Sequence, residues 1–304
     1  MFHVERPIYD NNYFNYSNTT FRLLKNSETF ITTKDYLISK KSFDLVYNAN
    51  LEMLRTNPQP NTDELYKYYE SSEYISHTDE RRDFFSRIYQ VVKQWSLHKK
   101  TNLIYELNGS AGDLLDIGAG TGEFLKSAEE KGWKVFGVEP NEGAKKRAIN
   151  KGLDLKSSIN EFEGKRFDVV TLWHVLEHIP NLEDTISQLT HLVKTDGTLI
   201  IAVPNYRSFD AKYYGKFWAA YDVPRHLWHF SKKSIEKLFQ PAFILKEIKP
   251  MIFDSFYVSL LSEKYRTGKK FSVKGIWIGL LSNLKGIFTK EFSSHIYCFK
   301  KGDN

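Results

Sequence analysis

Three glycines within five residues mark the part of this sequence best able to do chemistry. The string LLDIGAGTGEFL carries an apolar stretch, Asp113–Ile117, through Gly118-Ala119-Gly120-Thr121-Gly122 into residues 123–131, which have helical composition. Glycine suits a tight strand-to-helix turn and lets a ligand approach the backbone, while the new helix presents unpaired N–H groups. The spacing is GxGxG, one residue short of the GxGxxG of dinucleotide sites. Asp116 adds an acid at the end of the strand, where a pyrophosphate would be repelled and a cationic amino group welcomed. A second acid, Glu139, follows the next strand and is placed to accept both hydroxyls of a ribose. Together these residues describe a nucleoside cofactor with a cationic end. Taken alone, the same glycine turn would be read as structural and Glu139 as a surface acid.

The elements that must hold these residues alternate. After Asp113–Ile117, strands are expected at Lys134–Val138, 153–156, 167–172 and 197–203, with helices at 123–131, 141–151 and 181–193. Leu182, Ile186, Leu189 and Val193 recur at helical spacing. Repeated βα units of this length imply a parallel sheet with right-handed crossovers. Later, 231–239 reads as a capped helix, and 242–248 and 293–300 as further strands. Ahead of the glycine loop, 79–95 reads as a helix with Phe84, Phe85, Ile88, Val91, Val92 and Trp95 on one face, expected to pack on the sheet. Residues 20–60 hold short strand-like runs ending in the turn Asn57-Pro58-Gln59-Pro60.

The motifs DIGAGTG, GVEPN, FDVVTLWHVLEHIPN and GTLIIAVPN, in that order, resemble those of class I S-adenosylmethionine-dependent methyltransferases. The resemblance is specific across 113–205 and extends over most of 79–304. It implies an α/β fold: a Rossmann-like doubly wound seven-stranded sheet with the last strand antiparallel. It also implies S-adenosylmethionine as cofactor. Asp116, Gly118, Ala119, Gly120 and Gly122 would then surround the methionine end, Glu139 and Pro140 the ribose, and Leu172 and Trp173 the donor side. Many relatives carry an acid near the adenine after the third strand; here the stretch is Lys156-Ser157-Ser158-Ile159-Asn160, leaving only Ser158 to Asn160 for that contact.

For catalysis, His174 stands at the carboxyl end of the fourth strand, facing the ligand crevice, as a substrate-side or basic residue. Glu177 and His178 follow it, with stabilisation of the next turn as their plainer role. The aromatic stretch 206–230 is the expected source of substrate specificity, through Tyr206, Trp218, Tyr221 and Arg225, or else a packed lid without chemistry. Its series DVPRHLWHF resembles a recurrent stretch in a bacterial subgroup of the same family, which implies His226 and His229 as bases. Two histidines three apart also suggest a metal, but no third ligand is evident, and none is expected. Relatives in that subgroup often carry a cysteine-rich zinc element before an NPxP turn. This sequence has the turn and no cysteine but Cys298, so residues 1–78 are expected to form a metal-free, degenerate appendage to a methyltransferase domain at 79–304.

Composition closes off other classes. The chain of 304 residues carries net charge +6, too apolar for disorder and without a disulfide. No apolar run reaches spanning length and the first residues lack a secretory pattern, so a cytoplasmic location is expected. The charge is uneven: residues 113–205 carry net −4 and residues 206–304 net +10. An acidic centre suits a cationic methyl donor. The basic end contains, within a second insertion at 251–291, a stripe of Val273, Ile276, Trp277, Leu280, Leu281, Leu284, Ile287 and Phe288 at helical spacing, with lysines off it. Such a helix either rests on an anionic membrane surface, through residues 271–290, or docks against its own domain. The acceptor expected is a small molecule or a lipid-linked, anionic one. Nucleic acid is not expected, because no recognised module accompanies the lysines. Two alternatives stand beside methyl transfer: a non-catalytic cofactor-binding or membrane-surface protein, and a nicotinamide-dependent oxidoreductase, which lacks its GxGxxG here.

Overall fold

The computed structural model describes residues 28–69, 84–269 and 271–302. The chain first forms an antiparallel meander of β1 (Thr29–Lys34), β2 (Ser42–Asn48) and β3 (Met53–Asn57), followed by α1 (Thr62–Lys67) and the long helix α2 (Phe84–Asn108). The strand-like runs expected at 20–27 and the helix start expected at residues 79–83 lie outside the described residues. The alternating region then folds as read: β4 (Asp113–Ile117), α3 (Glu123–Glu129), β5 (Lys134–Val138), α4 (Glu142–Ile149), β6 (Leu155–Lys156), β7 (Phe167–Trp173), α5 (Leu182–Leu192) and β8 (Val193–Pro204). Beyond it come α6 (Phe209–Tyr214), β9 (Trp228–His229), α7 (Lys232–Phe239), β10 (Phe243–Pro250), α8 (Asp254–Thr267), α9 (Val273–Thr289) and β11 (Ser294–Lys301).

The main sheet has seven strands in the order β10-β11-β8-β7-β4-β5-β6. The last strand, β11, runs antiparallel to both neighbours, while β5, β4, β7 and β8 are parallel. Period-two alternation sends adjacent side chains to opposite faces. Leu114, Val169 and Ile200 pack under Ile104, Phe124, Leu125 and Ala148 from α2, α3 and α4. Leu115, Val170 and Ile201 pack under Leu182, Leu189 and Ile235 from α5 and α7. Strand order reverses at β4, which has β5 on one side and β7 on the other, and the crevice beyond their carboxyl ends is where ligands of doubly wound sheets bind.

Three placements differ from expectation. Helix α2 continues to Asn108, and its later residues Leu103 and Ile104 meet the sheet, whereas Val91 and Trp95 are exposed. The residues nearest in sequence to β4 are the ones a short connection can lay over it; the side chains of Phe84, Phe85 and Ile88 lie outside those described. Second, β3 pairs with β9, so the N-terminal meander shares a four-stranded sheet with the aromatic insertion, and Phe43, Leu45 and Leu54 share a core with Tyr206, Trp218 and Tyr221. Third, α9 docks on α8 through its small residues. A Cβ on Gly275 would stand 3.1 Å from the Leu260 Cα, and one on Gly279 only 2.8 Å from the Phe256 Cα. Ser282, on the same face, donates to Asp210 at 2.6 Å. The two backbones therefore approach more closely than bulky side chains would permit, and the large apolar residues of α9 are turned outward.

Candidate active site

The glycine loop is held from both sides. Val138, at the end of β5, accepts hydrogen bonds from the N–H groups of Gly118 and Ala119 at 2.8 and 2.9 Å. Gly118 has a φ of 72°, and a Cβ there would lie 2.4 Å from the Val175 Cγ2, so any side chain meets both strain and overlap. Gly120 has a φ of 55°, and the space where its Cβ would stand is open. That opening is a cradle in which a ligand can lie against bare backbone.

Both expected acids are buried, and Glu139 touches this cradle. Glu139 is buried; its Oε2 accepts from the Gly120 N–H at 2.8 Å and its Oε1 from the Asn141 N–H at 2.8 Å. A carboxylate has about four lone-pair positions, so two remain for a ribose diol. Asp116 is buried beside Thr171, whose hydroxyl donates to it at 2.6 Å. Burial raises its pKa to about 7, against the Thr171 hydrogen bond and the Lys100 charge, with Glu139 adding repulsion. Leu172 is buried in the floor of the crevice, Ala119 lines the loop, and Pro140 is exposed at its rim. Trp173 meets Phe124 edge-on, and the Lys100 ammonium lies 4.3 Å from its ring centroid. An open glycine cradle, a carboxylate with spare acceptors and an acid in want of a cation fit S-adenosylmethionine.

His174 takes a left-handed backbone with a φ of 56°, directly after β7. Its Nε2 is 3.0 Å from Asp254 Oδ2, and its Nδ1 is 3.4 Å from Glu177 Oε1. Burial alone would lower its pKa, but the charge and hydrogen bond of Asp254, joined by Glu177, raise it to about 10. His174 is therefore an imidazolium at neutral pH, a donor of protons and not a base. Its neighbour His178 is the reverse: burial, with the nearby His226, lowers its pKa to about 4, and Glu177 opposes this only in part. His226 comes into contact with His178, their ring centroids 4.5 Å apart. His229 is buried on β9 with its Nε2 3.0 Å from Thr56 Oγ1, and burial keeps it neutral. It lies 6.3 Å from the His226 ring and belongs to the wall between the two sheets.

The four residues expected to bind substrate are buried and partnered. Tyr206 donates to the Glu52 carbonyl at 3.1 Å, and the Trp218 indole donates to Asp210 at 2.7 Å. Tyr221 packs edge-on against Trp218 and His229. Arg225 grips Asp222 through Nε and Nη2 at 2.9 and 2.5 Å and reaches Asp35 at 3.2 Å. Their polar atoms are engaged within the protein, and Tyr206, Trp218 and Tyr221 share the core between the N-terminal meander and the aromatic insertion. Ser158 likewise caps the short turn Ile159–Phe162 by accepting from the Asn160 N–H. Conversely, Lys100 and Asp254 were not singled out. One is a lysine in a lysine pair on a helix, the other opens α8, and neither carries a local signal.

A family model described as a methyltransferase domain matches residues 86–242, about half of the chain. The chain is 31% identical over 102 residues to a ubiquinone biosynthesis O-methyltransferase of Salmonella paratyphi A, covering 30% of this chain and 42% of that protein. To the enzyme of the same name from Haemophilus ducreyi it is 33% identical over 106 residues, covering 30% of this chain and 45% of that one. The chain spans about half the length of the curated relatives it matches. Among solved structures, a magnesium protoporphyrin IX methyltransferase from Synechocystis with bound S-adenosylhomocysteine superposes with a TM-score of 0.53 at 15% identity, over 80% of this chain and 100% of that one. The 1,6-didemethyltoxoflavin-N1-methyltransferase of Burkholderia thailandensis gives 0.51 at 15% identity, over 87% and 97%. At such identity these two likenesses are of fold.

Proposed function

The chain belongs to the class I S-adenosylmethionine-dependent methyltransferase family, and from that membership we propose that it methylates an oxygen of a small-molecule acceptor. The observation carrying this reading is the open Gly120 cradle with Glu139 and Asp116 converging on it at the reversal of strand order. S-adenosylmethionine, when bound, supplies a methyl group activated by its sulfonium. Glu139 would hold the ribose, Asp116 the cationic amino-acid end, and Trp173 the floor near the donor. The imidazolium of His174, fixed by Asp254 and Glu177, positions the acceptor side and keeps a positive charge there. Transfer of this kind is an in-line displacement, so alignment contributes more than new chemistry from the protein. An acceptor protonated at neutral pH must also lose a proton, and the acids beside His174 are Asp254 at 3.0 Å and Glu177 at 3.4 Å. That curated relatives are ubiquinone biosynthesis O-methyltransferases supports oxygen as the acceptor atom.

Titration calorimetry tests the cofactor role. S-adenosylhomocysteine is expected to bind and NAD not to bind. The sign of the pH dependence follows from Asp116: a cationic ligand prefers the ionised carboxylate, and its pKa in the free protein is raised to about 7. Affinity should therefore rise through pH 7 and fall below it by up to about tenfold per unit, a slope that Asp116→Asn removes. Binding of NAD in place of S-adenosylhomocysteine would overturn the methyltransferase reading.

The acceptor is proposed to be lipid-linked, met at an anionic membrane surface. Among the described residues no helix is long and apolar enough to cross a membrane. Helix α9, however, leaves Val273 61%, Trp277 59% and Phe288 86% exposed, along with Leu284 and Ile287. The exposed lysines 269, 274, 285 and 290 flank this stripe. Large apolar side chains gain about 1.5–3 kcal/mol each on full burial, and flanking cations add attraction to anionic lipid. The full chain is expected to sediment with phosphatidylglycerol vesicles and not with phosphatidylcholine ones. Trp277→Glu with Phe288→Glu should weaken this at least roughly tenfold without lowering the melting temperature, since both side chains are exposed. Sedimentation unaffected by the double change would rule out α9 as the contact.

A further inference from the structure

The histidine expected to pair with His229 finds other company. Glu177, His178 and His226 each place one potential ligand atom within 4.8 Å of the others. Glu177 is 1% exposed; its Oε1 lies 3.4 Å from the His174 ring, and its Oε2 has no hydrogen bond. A buried carboxylate oxygen left without a donor is costly, so its surroundings should explain it.

The two rings do so. His226 Nδ1 is 2.8 Å from the Ala220 carbonyl, which can only accept, so this nitrogen carries the proton. His178 Nδ1 is 3.1 Å from the Arg225 carbonyl, to which it can only donate, and 2.9 Å from the Tyr69 hydroxyl, which can donate or accept. A ring that donates through Nδ1 offers a metal its Nε2. A carboxylate and two imidazoles thus offer ligand atoms within 4.8 Å of one another, while the His174 ring reaches only Glu177 Oε1, at 3.4 Å. Such a set is completed by a cation. Histidines whose Nδ1 is fixed by a backbone carbonyl are also how metal ligands are oriented.

We propose that Glu177, His178 and His226 bind a divalent transition-metal ion, with zinc as the natural fit to two imidazoles and one carboxylate. Bonds of about 2.0–2.2 Å require only modest rotamer adjustment of atoms already this close. Three protein ligands leave a zinc position open, the arrangement of ions that act as Lewis acids on an oxygen. The ion would lie beside His174, on the acceptor side of the crevice. The proposal goes beyond the methyltransferase reading and does not depend on it, since metal binding is measured with no methyl donor present.

The test uses the full chain, stripped with a chelator and titrated with cobalt(II). Ligand-field absorption in the visible should appear, saturate at a stoichiometric amount and be displaced by zinc. Glu177→Gln and His226→Gln should each weaken zinc binding more than about 100-fold, beyond the 10–100-fold typical of outer partners. His229→Gln, outside the cluster, should leave it unchanged. Absence of cobalt bands in the wild-type chain overturns the proposal whatever the variants do. Bands that persist in folded Glu177→Gln and His226→Gln, judged by their melting curves, overturn it as well.

Discussion

Replacing Glu139 by Ala should lower affinity for S-adenosylhomocysteine roughly 100-fold, the largest effect expected from a single cofactor residue. Hydrogen bonds to a charged group are worth about 1.5–3 kcal/mol each, and a ribose diol would make two, so a loss of about 3 kcal/mol, or about 100-fold, is a conservative sum. Glu139 also ties the loop by accepting from Gly120 and Asn141, so the alanine variant frees those N–H groups. Glu139→Gln separates the two contributions, because its amide oxygen still accepts one backbone bond while its NH2 cannot accept from a hydroxyl. Calorimetry should find the glutamine variant weakened too, with a melting temperature close to that of the parent. Unchanged affinity in both variants would remove Glu139 from the ribose site.

Arg225→Ala is expected to act on stability, by about 3–5 kcal/mol, the usual cost of breaking a buried ion pair from one side. The guanidinium is fully buried against Asp222 and Asp35. Burial by itself would raise the pKa of each carboxyl. For Asp222 it is the Arg225 charge, and for Asp35 the Ser39 N–H bond followed by the Arg225 charge, that pull it below the ordinary carboxylate range. Asp35 further accepts from the N–H groups of Leu37, Ile38 and Ser39, fixing the turn between β1 and β2. Removing Arg225 leaves two carboxylates near one another in the wall that joins the N-terminal sheet to the aromatic insertion. The melting temperature should fall by several degrees or more. A variant that melts like the parent yet shows a raised KM would instead make Arg225 a substrate contact.

The contrast between these two residues shows what could be read early. The position of Glu139 beside the loop was legible because it follows from a local rule: an acid ends the strand after a glycine turn, and here it accepts from the Gly120 N–H. Strand β4 and its loop were legible for the same reason, since Asp113–Ile117 and Lys134–Val138 lie where hydrophobic runs and glycine spacing put them. The ion pairs of Arg225 were not legible, because its type and its aromatic neighbours suit a binding loop equally well. Only the return of residues 206–230 to pair with β3 brings Asp35 against it. His174 was found by position, but its charge state depends on Asp254, which reaches it from the second insertion.

The sequence by itself determined the parallel sheet, the glycine cradle, the two acids and the acidic centre under a cationic ligand. Each of these is written in short-range periodicity or in spacing along one βα unit. The tertiary structure alone decided which histidine is charged, which pair lies against Glu177, and that the apolar stripe of α9 faces outward while its glycines are buried. Those outcomes rest on contacts between segments far apart in the chain. Burial, and the long-range partners that burial supplies, set protonation and exposure there, and no pattern of neighbouring residues records them.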